Sequence, residues 1–292
     1  MVGSGPVARA LGLAWERAGH EIVRRSARSA TGPAVPGPID GVLVAVKDHA
    51  IGAVARALVD GGEVPRDSVL LHAAGSLAPE EVFAAVRAAV RGVALCHPLV
   101  SLADGDPARL VGATFAVVGD AAGEAMALTL ARDAGGRPVV LRAAGLARYH
   151  AAAALAANHT LVLLACAVEL LVGDGVPRRE AEAALGNLLA SAAHNVVRLG
   201  LPHALTGPIA RGEVEVVARH LAALSSVDRE APEGLEAPRG EAGPGVTELY
   251  GTTGLGTVAL ALKKGAAPPE ALARIHDLLV AALGARPQNE IE

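Results

Sequence analysis

The spacing of apolar positions changes character partway along the chain. Up to Leu141, short apolar runs alternate with helix-spaced segments. Strands are expected from Glu21-Ile22-Val23, over Asp40–Val46, Ser68–His72, Val93–Cys96, Thr114–Val118 and Pro138–Leu141. Helices are expected from Val7 to Ala18, from Ile51 to Leu58, from Pro79 to Val90 and from Glu124 to Ala134. Such alternation predicts an α/β fold whose doubly wound, mostly parallel sheet is covered on both faces. From Leu146 onward almost everything has helical periodicity: Leu146–Leu171, Arg178–Leu199, Glu213–Leu224, Val246–Leu262 and Pro269–Leu283. The turn-rich Leu205–Gly212, the acidic Pro/Gly-rich Asp228–Gly245 and the polar tail Arg286–Glu292 read as loops or ends. The chain of 292 residues therefore divides into an α/β domain over 1–142 and an all-α domain over 143–292.

The stretch Leu146–Leu171 is apolar nearly all round, yet Tyr149, His150, Asn158, His159 and Thr160 are set inside it. Its length approaches that of a bilayer span. His150, Asn158, His159 and Glu169 would be costly in lipid, and no Lys/Arg asymmetry flanks it, so no membrane partner is expected. On burial rules Asn158 reads as a hydrogen-bonded core amide. The site reading rests on the domain junction, where clefts concentrate. It also rests on the angle of about 80° between His150 and Asn158 on a regular helix.

Composition narrows the classes. A net charge of −4 supplies no basic field, which argues against nucleic acid as partner. Aromatics are 2%, so the cores must be built from Ala, Val and Leu. Cys96 and Cys166 fall in different elements with no CxxC or Cys/His cluster, so no metal site is expected, and the pair fits a reducing cytosol. Met1 runs straight into a glycine turn without a basic or apolar leader, and the expected location is cytoplasmic.

The chemistry begins at Gly3-Ser4-Gly5-Pro6-Val7-Ala8, which matches G-x-G-x-x-A. In a Rossmann dinucleotide fold the first glycine makes the tight turn and the second admits the pyrophosphate. The small third residue lets helix and strand pack closely. Phosphates then meet free amides at the helix N-terminus. A Rossmann unit needs a strand of about five residues before this turn, and here Met1 and Val2 alone precede Gly3: either the first strand is truncated or the true start lies further upstream. Past the second strand come Arg24, Arg25 and Ser26, where an NAD site carries an acid. Arginines there suit the 2′-phosphate of NADP, and the other reading is a solvated basic loop. Ligands of such sheets lie beyond the carboxyl ends of the strands. That rule gathers Gly3–Val7, Arg24–Ser26, Val46-Lys47, Gly75-Ser76 and His97-Pro98 around one crevice.

Taken together, GSGPVA, the strand VLVAV followed by KDHAI, HAAGS, CHPL, FAVVGD, RYHAAAALAANH and ALTGPIARGE resemble one bacterial family. These are the Rossmann-like NADP-binding oxidoreductases with a C-terminal helical domain of unknown function. Their superfamily includes ketopantoate reductase, pyrroline-5-carboxylate reductase and the β-hydroxyacid dehydrogenases. The resemblance implies an NADP(H)-dependent oxidoreductase. Hydride would pass to a small polar carbonyl or imine held between the two domains against the first long helix. Ketopantoate reductases and β-hydroxyacid dehydrogenases carry a Lys proton donor on that helix with an Asn one turn on, and ketopantoate reductases add a second Asn after another turn. Here His150 stands at what resembles the Lys position, Ala154 at the first Asn position and Asn158 at the second. The departure removes ketopantoate chemistry as a simple inheritance, although a His can donate a proton near neutral pH.

On this reading His150 is the general acid, His97 a second acid candidate and Asn158 a substrate orienter. Tyr149 borders the substrate, and Thr206 with Arg211 contact an anion or hydroxyl. Each has a plainer role: Arg211 pairs with Glu213 or Glu215, and His97 packs in a turn before Pro98. Two other functions compete, a non-catalytic NADP-binding or sensor protein and a purely structural helical assembly. The apolar faces after Leu171 exceed what one small bundle buries, so a homodimer through the helical domain is expected.

Overall fold

A computed structural model describes residues 1–26, 38–230 and 245–284. They form two compact units, Met1–Asn158 and His159–Glu292.

The first unit is built on a five-stranded sheet: β1 Gly41–Val44, β2 Val69–His72, β3 Gly92–Pro98, β4 Thr114–Gly119 and β5 Arg137–Val140. The strands lie side by side in that order, and β1, β2 and β3 are parallel. Beside β1, Val2 makes isolated parallel bridges to Val44 on one side and Arg25 on the other. The expected strand at Glu21–Val23 is reduced to one bridge at Arg25.

Successive side chains of a strand point to opposite faces. Leu43, Leu71, Ala94 and Cys96 accordingly pack with Leu11 and Trp15 of α1 (Pro6–Arg17) and Ala127 of α4 (Ala121–Asp133). Val42, Val44, Leu70 and Val93 pack on the other face with Ile51 and Ala55 of α2 (Ile51–Asp60) and with Phe83. Each such large apolar side chain contributes roughly 1.5–3 kcal/mol on burial. The Trp15 indole N–H donates to the Leu130 carbonyl at 2.8 Å and fixes α1 against α4.

Two further elements of this unit depart from the sequence expectation. β4 runs antiparallel to β3. The link between them carries a single 3₁₀ turn, Pro107–Leu110, and no helix returns the chain to the starting edge. The expected helix from Pro79 to Val90 is also divided, into α3 (Pro79–Val82) and a 3₁₀ turn, Ala84–Ala89, with buried Phe83 at the join.

The long apolar stretch is α5 (Leu146–Ala154), a π turn (Leu155–His159) and α6 (Thr160–Gly173). The run Ala143–Gly173, whose most apolar 18 residues have a mean hydropathy of 1.9, is long and apolar enough to cross a membrane. Leu146 is buried with Leu95 and Val118 and anchors α5 to the sheet. Asn158 lies in the π turn and is exposed, so it is not the core amide of the plainer reading. The π turn also breaks the regular step that set His150 and Asn158 at a fixed angle.

In the second unit α6 pairs with α7 (Arg178–Leu199), and Arg178 forks onto Glu169 across the hairpin at 2.7 and 3.0 Å. The remaining helices are α8 (Pro208–Arg211), α9 (Val214–Glu230), α10 (Val246–Lys264) and α11 (Pro269–Gly284). They share a core of Val217, Leu221, Val258, Leu272, Ile275 and Leu279. Gly251 and Gly254 are tolerated inside α10 because side chains of α11 fill their space. A Cβ on either would lie within about 3 Å of Leu283 or Leu279. α9 continues to Glu230, so the start of the expected Asp228–Gly245 loop is helical. The Asp228 carboxylate accepts the Val246 and Thr247 amides at 3.1 and 3.0 Å, satisfying free donors at the start of α10. The rest of that loop and the tail Arg286–Glu292 lie outside the described residues.

Candidate functional site

Val2 carries the chain to the carboxyl edge of the sheet, where it must turn sharply. Gly3 does this at φ +128°, and a Cβ there would stand 2.1 Å from the Ala45 carbonyl oxygen. Gly5 caps α1 in an extended conformation with no side-chain cap, and Pro6 takes the first helical position. Nothing lies within 4 Å of a Cβ on Gly5. The amides of the first helical turn therefore open into a crevice of about 680 Å³. Gly3, Ser4, Gly5, Pro6, Val7, Ser26, Val46 and Lys47 all line it, together with Asp48, His49, Ala73 and Ala74. Lys47 is the one Lys or Arg among the described lining residues. A close-approach glycine, an uncapped helix start and one cation fit a dinucleotide pyrophosphate.

Arg24 and Arg25 are not brought to this crevice. Arg24 folds back along α1 and forks onto Glu16, which raises the guanidinium pKa and lowers that of the carboxyl. Arg25 pairs with Glu63 and lines a separate cavity at the opposite end of the strands. Ser26 alone of the three reaches the glycine crevice.

The second cluster grows from the end of β3. His97 projects from the same sheet face as Leu95, towards α5. Leu146, buried against Leu95, sets the first turn of α5 so that Tyr149 comes down on His97. His97 Nδ1 and Tyr149 Oη are 2.7 Å apart, with the rings edge to face at 5.6 Å. His150 is exposed, its ring 6.4 Å from that of His97. Burial pushes the His97 pKa down to about 4; His150 adds to the shift and Asp48 opposes it. Burial pushes the Tyr149 pKa up to about 12. Near neutral pH both groups are uncharged, and Tyr149 keeps its proton.

The two features adjoin. Asp48 lines the crevice and acts on His97 through its charge. Ala73 and Ala74 line it too, and next to them a Cβ on Gly75 would stand 2.9 Å from His97 Nε2. Gly75 is buried here and Ser76 partly buried. Asn158 belongs to the first unit but has no described link to this cluster. Thr206 and Arg211 belong to the second unit. Arg211 forks onto Glu213 at 2.7 and 3.0 Å, the plainer of its two expected roles.

Two residues not singled out from the sequence belong here. Asp48 sits in the KDHAI segment, which supplied the signal. His72 is fully buried on β2, its Nδ1 accepting the Ala74 amide at 3.2 Å and its ring edge-on to Phe83. Burial, then the charge of His97, pushes its pKa down to about 4. It opens the HAAGS segment, which supplied its only signal, since one histidine in an apolar strand has no periodicity.

Among solved structures, a Bacteroides fragilis protein named as a candidate NADP oxidoreductase is 20% identical, with a TM-score of 0.60, covering 78% of this chain and 91% of its own. A Thermotoga maritima protein is 22% identical with a TM-score of 0.60, covering 77% and 89%. A 1-pyrroline-5-carboxylate reductase from Streptococcus pyogenes is 13% identical with a TM-score of 0.54, covering 97% and 96%. At these identities the likeness is one of fold. No curated protein matches the sequence. Residues 113–236 match a family described as a domain of unknown function, DUF2520. The chain thus has a Rossmann-like fold and carries a DUF2520 domain.

Proposed function

We propose that this protein is a nicotinamide-dependent oxidoreductase that reduces a small polar carbonyl or imine. One observation carries the reading: a half-buried, hydrogen-bonded His97–Tyr149 pair stands beside the glycine crevice, at the strand ends where ligands of such sheets bind. The nature of the fold's relatives supports it, since a candidate NADP oxidoreductase and a pyrroline-5-carboxylate reductase share the architecture.

The first-turn amides of α1 and the Lys47 ammonium would hold the pyrophosphate, with Gly3 and Gly5 giving it room. NADP(H) is the favoured form, because no Asp or Glu stands between Arg24 and Pro38 to hold a free ribose diol. A reduced nicotinamide supplies the hydride. The protein must then supply a proton to the oxygen or nitrogen that gains charge. Tyr149 holds that proton, since burial keeps its phenol protonated. His97 Nδ1 shares it, and exposed His150 is the neighbouring group through which solvent restores it. The small polar substrate would lie against Tyr149. The competing reading, a binding protein without turnover, rests on His150 standing where the resembling families carry a Lys.

The test is direct. NADPH oxidation is followed with a panel of 2-keto acids and cyclic imines, pyrroline-5-carboxylate among them, alongside NADPH binding by fluorescence. Turnover abolished in His97→Ala, with binding kept, supports the proposal. Binding without turnover across the panel favours the non-catalytic reading, and no binding ends both.

A further inference from the structure

Strand β2 ends on a polar residue in an otherwise apolar run. His72 follows Val69-Leu70-Leu71 and is fully buried. Parallel register pairs it with Leu95, so its ring lies on the sheet face that carries Leu95 and, two residues on, His97. The two imidazoles are near enough for a charge on His97 to bear on His72. His72 Nδ1 accepts the Ala74 amide, so the neutral ring carries its proton on Nε2. That second nitrogen is buried with no hydrogen-bond partner among the described residues. A buried donor left unpaired costs its full desolvation. Phe or Leu would fill the same space beside Phe83 without that cost. Stability alone therefore gives no reason for a histidine here. What an apolar side chain could not supply is the acceptor for Ala74.

That acceptor holds a segment with two neighbours to serve. The Ala74 amide is tied to His72, and the Ala74 carbonyl accepts the Leu77 amide at 3.3 Å. Ala73 and Ala74 form part of the crevice wall. Gly75, next in the chain, lies against the Nε2 end of the His97 ring: a Cβ there would stand 2.9 Å from Nε2 and 3.0 Å from both adjoining ring carbons. Tyr149 meets the same ring at Nδ1. The imidazole is thus located by two contacts, the Gly75 backbone at one nitrogen and the Tyr149 hydroxyl at the other. A turn that drifted from its place would loosen the first and misdirect the second.

We propose that His72 is a positioning residue of this site. Through the Ala74 amide it fixes the turn Ala73-Ala74-Gly75, and that turn sets both the crevice wall and the seat of the His97 ring against Tyr149. His72 acts through these groups and holds neither cofactor nor substrate itself. The role rests on the oxidoreductase reading.

The test separates the acceptor from the packing, in the full chain with NADPH and the same panel of keto acids and imines. His72→Phe keeps the bulk and removes Nδ1. His72→Asn loses bulk but offers an acceptor oxygen to the amide two residues on, as asparagine does in turns. His72→Phe is expected to lower kcat by about tenfold or more, since a misplacement of about 1 Å costs on the order of 10²-fold. Its KM for NADPH should change less than kcat, and its Tm should not fall. His72→Asn is expected to recover most of kcat although its Tm falls. Exchange of the Ala74 amide should quicken in His72→Phe and not in His72→Asn, and the nitrogen NMR shift of His97 Nδ1 should move with it. Should His72→Phe not fold, His72→Leu takes its place. A residue that only packs would give the reverse order, Phe active and Asn impaired, and that result overturns the proposal. So does a His97 shift unaltered in His72→Phe. If the unaltered protein turns over nothing in the panel, the oxidoreductase reading fails, and the Ala74 exchange and His97 shift still decide whether His72 holds the turn.

Discussion

Tyr149 and His97 are 52 positions apart in sequence, and their side chains meet at 2.7 Å between Oη and Nδ1. A phenol kept protonated and an imidazole kept neutral, side by side, can pass one proton between them. A positioned acid contributes roughly 10²–10⁴-fold to such a step. Tyr149→Phe and His97→Ala are therefore each expected to lower kcat by about 10²-fold or more, with NADPH affinity nearly unchanged. His150→Ala is expected to act more weakly and to be rescued by added imidazole. Equal losses in all three without rescue would make His150 the donor itself. Steady-state kinetics on the substrate found in the panel decides.

Cofactor choice gives a second expectation. NADPH is expected to bind more tightly than NADH, since the second strand position ends in Arg24, Arg25 and Ser26 with no acid. Lys47→Ala is expected to weaken both forms alike, because the pyrophosphate is common to them. Arg24→Ala should selectively weaken NADPH, as its exposed pair with Glu16 is screened by solvent and opens readily. Fluorescence titrations measure each. Equal affinities for NADPH and NADH in the unaltered protein would exclude the preference.

Stability should depend on pH through His72 and His97. Each has a folded pKa of about 4, below the ordinary value of 6.5. Between these values the unfolded chain binds more protons than the folded one, so stability rises with pH. The contribution is complete above pH 6.5 and is lost as pH falls towards 4, about 3 kcal/mol for each group. His72→Phe is expected to flatten this part of the profile, measured as denaturant midpoint against pH. An unchanged slope would mean that His72 titrates normally.

Self-association through the second unit is also expected. Along α6, α7 and the turn after them, Leu161, Leu188 and Leu201 are each 60% or more exposed, and Val197 is 87% exposed. With Val162, Leu163, Val196 and Leu199 they present on the order of 800 Å² of apolar surface, the share each partner buries in a standard interface. A second copy suits this surface. A bilayer does not, because Glu182, Asn187, His194 and Asn195 lie along α7. Light scattering should report a dimer, and Leu188→Asp/Val197→Asp a monomer. A monomer in the unaltered protein, or its recovery with membranes, would refute this.

Gly75→Ala places a methyl group against the His97 ring, which must shift to admit it. The expected outcome is a loss of turnover approaching that of His97→Ala, with a Tm lowered by only a few degrees (about 1 kcal/mol for such crowding). Full activity in Gly75→Ala would show that the position of His97 is not critical.

Much of the fold was legible from local pattern. The apolar runs at Val42–Val44, Val69–Leu71 and Val93–Cys96 are strands because both faces of the sheet are covered, and continuous apolar runs record that. G-x-G-x-x-A marked the turn at Gly3 because a close approach to the Ala45 carbonyl excludes any side chain there. What local pattern could not carry was direction and partnership. The reversal of β4 depends on whether the link from Leu99 to Ala113 forms a returning helix. Arg24 and Arg25 read as phosphate ligands, yet Glu16 and Glu63 compete for them, and which anion an arginine meets is decided in three dimensions. The pair of His97 and Tyr149 is a product of tertiary packing alone. Neither residue signals the other along the chain, and the hydrogen bond exists because Leu146 buries itself against Leu95 and brings α5 down on the end of β3.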